Sequence, residues 1–561
     1  MIAFTLIGGR LIQLQGVDAS QYRAMSQYYQ LRILPIPAVR GQIVSSDGTV
    51  LALTVQTDLV YADPVMIEQS TPLRSAAAKL AGPLRRSAGV ILALLRHPSS
   101  RDYVVLRKAV DVSTADQISK LKIAGVVLDP VYTRAYPGGD LAAGLLGFTD
   151  LRGPVNEQTL TGEAGLELAY NPLLAGQAGQ EAVEFGASGL PIPGTEAGIK
   201  KAVAAGSLRL TIQADIQWAA ERACAEQVLA TRARNCTVIV IEPGTGDILA
   251  MAQYPTFNPL APASEAATKD IAAANIFAPG STAKVITAAA AFEHGGQTPL
   301  SSYTVPDQFT WHGFPFHDAE LHPTQRYTIA GIIAHSLNDG MVQVADHVSP
   351  QQQYDEFRAF GIGSASGLNL PGESSGILPV PSRWYGNERY ILSFGQGVGV
   401  TALQMASVYA TIANGGVRVT PSVVAGTTTG SGRYIPARAP ARRRVLQRKT
   451  AAELMSILEQ VPIVYAQAGE RWGLIPGYTI AAKTGTAQEQ GGTYGSSFIG
   501  IAPASSPKLV VAVNLQDPRR KGYFGIDIAG PVFNEVMKFA LQTMKIPPDG
   551  GHVPSVPLTV P

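Results

Sequence analysis

Apolar and polar positions in the second half of the chain follow two regular patterns. Short apolar runs bounded by Gly, Pro, Asn or Asp predict strands, whereas apolar residues spaced three and four apart predict helices. The predicted strands are 208–212, 237–241, 248–252, 498–502 and 509–514, and a helix at 214–229 follows the first of them. Strands 237–241 and 248–252 form a hairpin through a Pro-Gly-Thr-Gly turn. This order predicts an α+β fold in which an antiparallel sheet is flanked by helices.

The first part of the chain has a less regular pattern. Strand-like runs at 41–44 and 103–106 alternate with helical stretches such as 74–80, and the Gly- and Pro-containing segment 186–206 is typical of a linker. We therefore expect an elongated mixed α/β module at residues 16–205 and a separate domain at 206–546. The Pro-rich tail, residues 547–561, is predicted to be disordered.

Composition agrees with more than one folded domain. A chain of 561 residues is too long for one hydrophobic core, and 46% hydrophobic with 15% charged residues is typical of folded proteins. The formal net charge of +2 gives no reason to expect a nucleic-acid partner. An arginine-rich run at 438–449 is the local exception. We interpret it as a solvated loop before a helix capped by Thr450, with a polyanion or lipid-headgroup site as the alternative.

Candidate chemistry begins at Ser281 and Lys284. Pro279 and Gly280 precede them, and an alanine-rich run at 282–292 predicts a helix that starts here. Residues three apart share one helical face, so the Lys284 amine is expected to reach the Ser281 hydroxyl. A serine attacks a carbonyl only when a neighbouring base takes its proton. The pair therefore indicates a nucleophile with its base.

Lys483 offers a second cation that would lower the pKa of Lys284. The segment 478–483 is predicted to be a strand, and Thr484, Gly485 and Thr486 follow it. Gly485 would allow a substrate backbone to approach closely. If this strand lies at a sheet edge, it can bind an extended peptide as an added strand, with the hydroxyls and the Lys483 charge available for a terminal carboxylate.

A third element, Ser336 and Asn338, follows a short predicted helix at 329–334 capped by Thr328. Ser336 is placed to relay a proton, and Asn338 to bind a substrate amide. In chain order the elements are S-x-x-K, S-x-N and K-T-G. That combination is the signature shared by penicillin-binding proteins and β-lactamases, whereas each element alone is common.

The resemblance to this group covers almost the whole chain. Further matching segments are 40–43 with 47–52, 162–167, 210–217, 371–376 and 394–397. The chain thus resembles a class B, monofunctional penicillin-binding protein, of the kind that acts as a division-type peptidoglycan transpeptidase. The resemblance implies a penicillin-binding/β-lactamase-like transpeptidase domain after a non-catalytic, dimerisation-like module. Leu337 stands where many members have a small residue.

The resemblance also implies residue roles. Ser281 would be the nucleophile, Lys284 the proton acceptor, and Ser336, Asn338 and Lys483 further catalytic groups. Substrate binding would fall to Thr484, Gly485, Thr486 and Gln396. The oxyanion hole would consist of the backbone N–H groups of Ser281 and Thr486. No metal and no cofactor is expected.

The implied ligands are peptidoglycan stem peptides ending in D-Ala-D-Ala, and β-lactams that mimic them. Membrane-bound glycosyltransferase and division proteins are the expected protein partners. The implied location is the cell membrane, with a single transmembrane helix and an extracytoplasmic catalytic domain. Residues 1–15 would then be the remnant of a truncated anchor, because the apolar run 1–9 is too short to cross a bilayer. The alternative is a soluble protein whose first helix packs elsewhere.

Two rival functions are compatible with the sequence. A β-lactamase or penicillin-sensor domain shares the three elements, although the large first module has no evident use in simple hydrolysis. A catalytically silent division scaffold is the other, although all motif side chains are present.

Other features have structural explanations. His312, His317 and His322 are expected on a hairpin rather than on a metal, because their spacing matches no standard ligand pattern. Gly395, Gly397 and Gly399 suggest a cleft-lining turn rather than a dinucleotide loop. Cys224 and Cys236 are the only cysteines, and whether they form a disulfide stays open.

Overall fold

The structure is a computed structural model that describes residues 2–18, 20, 31–36, 38–98, 100, 102–153, 159–184, 192, 194–195, 197–262, 264, 269–489 and 491–561. In the first part the strands are β1 (Leu31–Ile36), β2 (Ile43–Val44), β3 (Val50–Ala62), β4 (Val104–Val110), β5 (Val126–Ala135), β6 (Thr149–Arg152), β7 (Thr159–Gly162), β8 (Gly179–Glu184), β9 (Ala197–Lys200) and β10 (Ser207–Leu210). The helices are α1 (Ile2–Ile12), α2 (Pro64–Ser70), α3 (Leu73–Leu84), α4 (Ala88–Arg96), α5 (Val112–Lys120), α6 (Ala143–Leu146), α7 (Gly165–Ala169) and α8 (Asn171–Leu174).

The remaining strands are β11 (Asn235–Ile241), β12 (Ile248–Tyr254), β13 (Ser302–Val305), β14 (Gln308–Trp311), β15 (Phe314–His317), β16 (Gln325–Thr328), β17 (Val417–Val419), β18 (Val424–Thr428), β19 (Tyr434–Pro436), β20 (Arg442–Arg444), β21 (Ala481–Gln488), β22 (Tyr494–Ala502) and β23 (Leu509–Gln516). The helices are α9 (Ala214–Thr231), α10 (Ile271–Ala274), α11 (Lys284–His294), α12 (Ile329–Ala334), α13 (Asn338–Ala345), α14 (Pro350–Phe360), α15 (Glu388–Leu392), α16 (Ala402–Ala413), α17 (Arg448–Leu458), α18 (Gln460–Gln467), α19 (Gly525–Ile528) and α20 (Gly530–Thr543).

A five-stranded sheet in the order β12-β11-β23-β22-β21 forms the centre of the second part. All pairings within it are antiparallel. Side chains on β11 alternate between two hydrophobic cores, with Ile239 in the larger cluster and Val238 in the smaller one. Because helices cover both faces, the central strands are buried along their whole length and appear as continuous apolar runs. The prediction of an α+β fold with a flanked antiparallel sheet is confirmed.

The first part is joined to this domain through a shared sheet. Strand β10 pairs with β2 in parallel and with β18 in antiparallel orientation, within a seven-stranded sheet. A buried charged group holds the first part together. The carboxylate of Glu167 accepts from the Arg40 and Arg134 side chains at 2.7 Å each. Arg40 and Glu167 both lie in segments that carry the family resemblance, and their contact fixes the start of β2 against helix α7.

Several local predictions are confirmed by the element bounds. The hairpin at 237–241 and 248–252, the strand pair at 498–502 and 509–514, and the helices at 214–229 and 329–334 are all present. Thr328 caps α12 by accepting from the Gly331 N–H. The three histidine positions lie on and around the hairpin β14–β15, as predicted. Eight residues of the predicted linker 186–206 lie outside the described residues, and another part of it forms β9.

Two predicted element bounds are wrong. The strand before the K-T-G element runs from Ala481 to Gln488 instead of 478–483, because Thr479 bonds to the Asp549 side chain rather than to a neighbouring strand. The helix predicted to be capped by Thr450 begins at Arg448, where the Gln447 N–H donates to Glu293 at 2.8 Å. A tertiary contact thus replaces the predicted local cap.

The arginine run is not a solvated loop throughout. Residues 442–444 form β20, which pairs with β17, and their guanidinium groups donate to backbone oxygens of other segments. The tail is not disordered either: Thr559 forms an antiparallel bridge with Tyr327.

Cys224 on α9 and Cys236 on β11 form a disulfide, with their Cα atoms 5.5 Å apart.

Among the described residues, no helix combines the length and apolarity that crossing a bilayer requires.

Candidate active site

Ser281 lies in a single 3₁₀ turn, Gly280–Ala283, which continues directly into α11. Gly280 has a positive φ of 54°, and a Cβ atom there would stand 2.8 Å from the Thr486 backbone oxygen. The Gly280 N–H also donates to Gly395 O at 3.1 Å. The turn that carries Ser281 is therefore clamped between the K-T-G strand and the glycine-rich 394–397 segment, while the Ser281 side chain stays half-buried.

Lys284 is fully buried at the start of α11. Its amine donates a hydrogen bond to the backbone oxygen of Ser336, at 2.5 Å. Burial lowers the pKa of Lys284 to about 7, although the Asp318 and Asp339 carboxylates oppose that shift. A substantial fraction of the amine is therefore neutral at neutral pH and able to accept a proton.

Ser336 lies between α12 and α13 with φ at +62°, in the left-handed region. This conformation presents both its oxygens to lysines: the backbone oxygen to Lys284, and Oγ to the Lys483 amine at 2.8 Å. Lys483 is also fully buried, and burial followed by the nearby Lys284 charge lowers its pKa well below the usual range. Three separate segments thus meet at one serine.

Asn338 is the first residue of α13, and its side-chain amide donates to His317 O at 3.2 Å. The Asp318 carboxylate caps this helix. It accepts from the Asn338 and Asp339 N–H groups, and its other oxygen lies 2.9 Å from His322 Nε2. Because Asp318 ties the histidine-bearing segment to the start of α13, it fixes the position of the S-x-N element.

Asp339 is a buried carboxylate that interacts electrostatically with Lys284. It is 0% exposed, and among the described residues neither of its oxygens has a hydrogen-bond partner. Burial raises its pKa to about 7, and the Asp318 charge adds to that rise. A proton on Asp339 and a proton on Lys284 are therefore electrostatically linked.

Strand β21 lies at the edge of the five-stranded sheet and pairs with β22 on one side. An open edge of this kind can accept an extended peptide as a further strand. Thr484 Oγ1 lies 2.8 Å from the Tyr465 hydroxyl, and Thr486 Oγ1 accepts from the Gly525 N–H at 3.1 Å. The fold itself also favours glycine at position 485, since a Cβ there would lie 2.2 Å from Ser497 Oγ and 2.8 Å from the Pro279 backbone oxygen.

A cleft of about 490 Å³ opens beside these groups. The sequence-predicted residues that line it are Ser281, Ser336, Asn338, Gln396, Thr484 and Thr486. The two lysines are fully buried, and each bonds to Ser336, which lines the cleft. The candidate residues therefore gather around one cleft, although within the described part of the chain no hydrogen bond joins the Lys284 amine to the Ser281 hydroxyl.

Two contributors were missed as site residues. Tyr465 on α18 carries no motif, and only the tertiary fold places its hydroxyl against Thr484. Asp318 carries no motif either, and its side chain caps the helix that starts at Asn338. The one sequence feature that could have indicated this cap is the place of Asp318, directly after the predicted hairpin.

Two family models match the chain. The model described as the penicillin binding protein transpeptidase domain matches residues 236–538. The one described as the penicillin-binding protein dimerisation domain matches residues 35–207. Together they cover both parts of the chain.

Individual relatives resemble it over nearly the full length. Penicillin-binding protein PbpB of Mycolicibacterium smegmatis is 32% identical, over 98% of this chain and 90% of that protein. Peptidoglycan D,D-transpeptidase FtsI of Escherichia coli is 30% identical, over 98% and 91%. Among solved structures, a peptidoglycan synthetase from Bifidobacterium adolescentis superimposes with a TM-score of 0.74 at 30% identity, covering 95% of this chain and all of that one.

Proposed function

Because this chain belongs to the penicillin-binding proteins, with a dimerisation domain followed by a serine-type transpeptidase domain, we propose that it cross-links peptidoglycan through an acyl-enzyme on Ser281. The observation that carries this proposal is the convergence of two fully buried lysines on Ser336, in a cleft that Ser281 and residues of the edge strand β21 also line. The substrate would be a stem peptide that ends in D-Ala-D-Ala.

Acylation follows from the site geometry. The peptide adds to the free edge of β21, where Thr484 and Thr486 bind its terminal carboxylate beside the Lys483 charge. Neutral Lys284 accepts the Ser281 proton as Oγ attacks the penultimate carbonyl carbon. The backbone N–H groups of Ser281 and Thr486 stabilise the oxyanion, a contribution on the order of 3 kcal/mol for one such donor. Gln396 and Asn338 bind amides of the substrate from the opposite wall.

Breakdown and transfer use the same groups in reverse. The bond to the last D-alanine breaks, and its amine takes the proton through Ser336 and Lys284. An amine of a neighbouring strand then attacks the acyl carbon, gives up its proton along the same route and releases Ser281. β-Lactams would enter the first step as substrate mimics and remain attached, because their leaving group stays part of the adduct.

We also propose where the enzyme works. A disulfide between Cys224 and Cys236 fits a compartment outside the cytoplasm, where peptidoglycan lies. We therefore place the catalytic domain on the outer side of the cell membrane, with membrane-bound glycosyltransferase and division proteins as its partners. Separating the periplasmic or wall fraction from the cytosol, followed by alkylation of free thiols, would test this placement.

Labelling with a fluorescent penicillin tests the catalytic proposal. The wild-type chain should form a covalent adduct that peptide mapping assigns to Ser281, and Ser281→Ala should abolish it. Ser382→Ala, a change at an exposed serine, is the matched control and should label normally. Release of the adduct within seconds would indicate a β-lactamase instead. Absence of label on the folded wild type would favour a silent scaffold.

A further inference from the structure

The last residues of the described chain are built into the active-site domain. Val560 N–H donates to Arg326 O at 3.0 Å, and Thr328 N–H donates to Leu558 O at 3.0 Å. With the Tyr327–Thr559 bridge, these bonds make residues 557–560, which we call the strap, a third strand beside β16. The edge of β16 is therefore occupied by a segment of the same chain.

The strap is fastened to the start of α12. The hydroxyl of Thr328 donates to Pro557 O at 2.7 Å while it accepts from the Gly331 N–H, so one side chain joins strap and helix cap. Gly331 makes this contact possible: a Cβ there would lie 1.9 Å from Leu558 O. Leu558 and Val556 also pack against the main hydrophobic core.

Helix α12 leads directly to Ser336. The Ser336 N–H donates to Ile333 O, and the Leu337 N–H donates to Ile332 O, so the last turn of the helix determines where Ser336 stands. The six-residue helix α12 lies between the strap and Ser336, and both lysines bond to Ser336. Because α12 is short, a shift of its first turn also moves its last turn, and Ser336 with it.

A second set of contacts holds the segment that precedes the strap, residues 549–554. The Asp549 carboxylate accepts from the Thr479 N–H at 2.8 Å and from Ser505 Oγ at 2.6 Å, and Gln460 Nε2 donates to Pro554 O at 2.9 Å. After the flexible Gly550 and Gly551, Pro554 and Pro557 restrict the backbone on either side of Ser555 and Val556, which lowers the conformational entropy lost when this last part is ordered. The path from the sheet to α12 is thus fixed at several places.

We propose that the strap is a positioning element of the active site: by holding the first turn of α12, it keeps Ser336 where Lys284 and Lys483 need it. This inference rests on the proposed role of Ser336 in acylation. None of the strap's own residues belongs to the described residues that line the cleft. Its loss should therefore reduce the rate of acylation at saturating β-lactam, with little change in the concentration that half-saturates the enzyme.

The test compares four chains: wild type, a variant lacking residues 557–561, Gly331→Ala, and the combination of both. Removal of 557–561 should lower the limiting acylation rate about tenfold, and Gly331→Ala should lower it similarly by expelling the strap. In the shortened chain Gly331→Ala should cause no further loss, because the clashing Leu558 oxygen is gone and Ala favours a helix. His552→Ala, outside the strap, is the control and should acylate like wild type.

Rescue distinguishes positioning from general stability. A synthetic peptide of residues 552–561 should restore acylation of the shortened chain in a saturable manner. If the shortened chain fails to fold, Val560→Pro replaces it, since proline removes the one N–H that bonds to Arg326. The proposal is overturned if the folded shortened chain acylates at the wild-type rate, or if Gly331→Ala is equally harmful in both backgrounds. Failure of the wild type to acylate at all would instead refute the proposed function.

Discussion

The Lys483 amine donates a hydrogen bond to Ser336 Oγ at 2.8 Å, although 147 residues separate the two along the chain. Lys284 bonds to the backbone oxygen of the same serine. Ser336 therefore connects two buried amines, one from the start of α11 and one from strand β21. We therefore expect this hydroxyl to pass a proton between Ser281 and the lysines during acylation.

Replacing Ser336 by Ala should slow acylation by a fluorescent penicillin by about 10²-fold, the lower end of the range for a group that transfers protons. The hydroxyl is lost, but the backbone oxygen that holds Lys284 remains. The measurement is the second-order acylation rate constant. Ser336→Gly is the matched variant, because it removes the same hydroxyl and also relieves the left-handed backbone. Equal losses assign the effect to the hydroxyl, whereas full activity in either variant contradicts the relay.

Acylation should increase with pH through about 7. The pKa of Lys284 is lowered to about 7 by burial, so about a tenth of the amine is neutral at pH 6 and about nine-tenths at pH 8. Only the neutral form accepts the Ser281 proton. A rate profile from pH 5.5 to 9 with a penicillin as acylating agent measures this directly. A rate that is flat across that range would show that the amine is not the base.

In the Asp339→Asn variant, the rise of the acylation rate with pH should occur at a lower pH than in the wild type. The negative carboxylate stabilises the Lys284 ammonium and so raises its pKa; without the carboxylate, deprotonation becomes easier. The charged groups facing the amine are Asp318, Asp339 and Lys483, with His322 bonded to Asp318. The apparent pKa belongs to this set rather than to one residue.

The same pH profile, repeated on Asp339→Asn, provides the measurement. Asp355→Asn, at an exposed helix position, is the control and should leave the profile unchanged. If the rise of the acylation rate occurs at a higher pH in Asp339→Asn, the shift is opposite to the one expected from a lost negative charge. That result would exclude a direct electrostatic influence of the carboxylate on Lys284.

The disulfide should stabilise the fold without supporting catalysis. Cys224 and Cys236 are 12 residues apart and belong to the smaller hydrophobic core, whereas the helix after Ser281 packs in the larger one. Closing a loop of that size contributes about 3 kcal/mol to the free energy of unfolding. Urea unfolding of the Cys224→Ala, Cys236→Ala double variant should show a loss of that order, with the acylation rate retained.

Unfolding of the wild type with and without a thiol reductant separates the cross-link from the lost side-chain volume. If the reduced wild type unfolds at the same urea concentration as the oxidised protein, the cross-link contributes nothing.

Local signals in the sequence are sufficient to predict most strands of the five-stranded sheet and the short helix before Ser336. Most of β11 and β23 and the 498–502 part of β22 are apolar runs bounded by turn residues, and Thr328 caps α12 with its own side chain. Such features depend on neighbours in sequence, so they can be recognised there. The order of the three catalytic elements similarly indicated a common site before their positions were known.

Features that depend on distant residues could not be predicted in this way. The cap of α13 comes from Asp318, twenty residues before Asn338. The strap depends on a carbonyl near the end of the chain meeting Thr328, 229 residues earlier. Helix α17 begins where Glu293 binds the N–H group of Gln447, rather than where a local capping box stands. In each case a tertiary partner replaces or adds to what the local sequence encodes.

Substituting Glu167 by Gln should destabilise the first part of the chain strongly. Glu167 is completely buried between Arg40 and Arg134, whose side chains are only 1% and 2% exposed. Removing the carboxylate leaves two buried guanidinium groups without a counter-charge, a change that costs about 3–5 kcal/mol. The free energy of unfolding in urea measures the loss, and partial proteolysis locates it.

Glu163→Gln is the matched control for this charge removal. Glu163 pairs with Arg152, whose side chain is 61% exposed, so water compensates for the lost partner and the expected cost is below about 1 kcal/mol. Both variants lose one carboxylate within the same motif segment, and the difference between them isolates burial as the cause. Equal costs would mean that the buried group is not what holds the start of β2 against α7, and that packing alone does so.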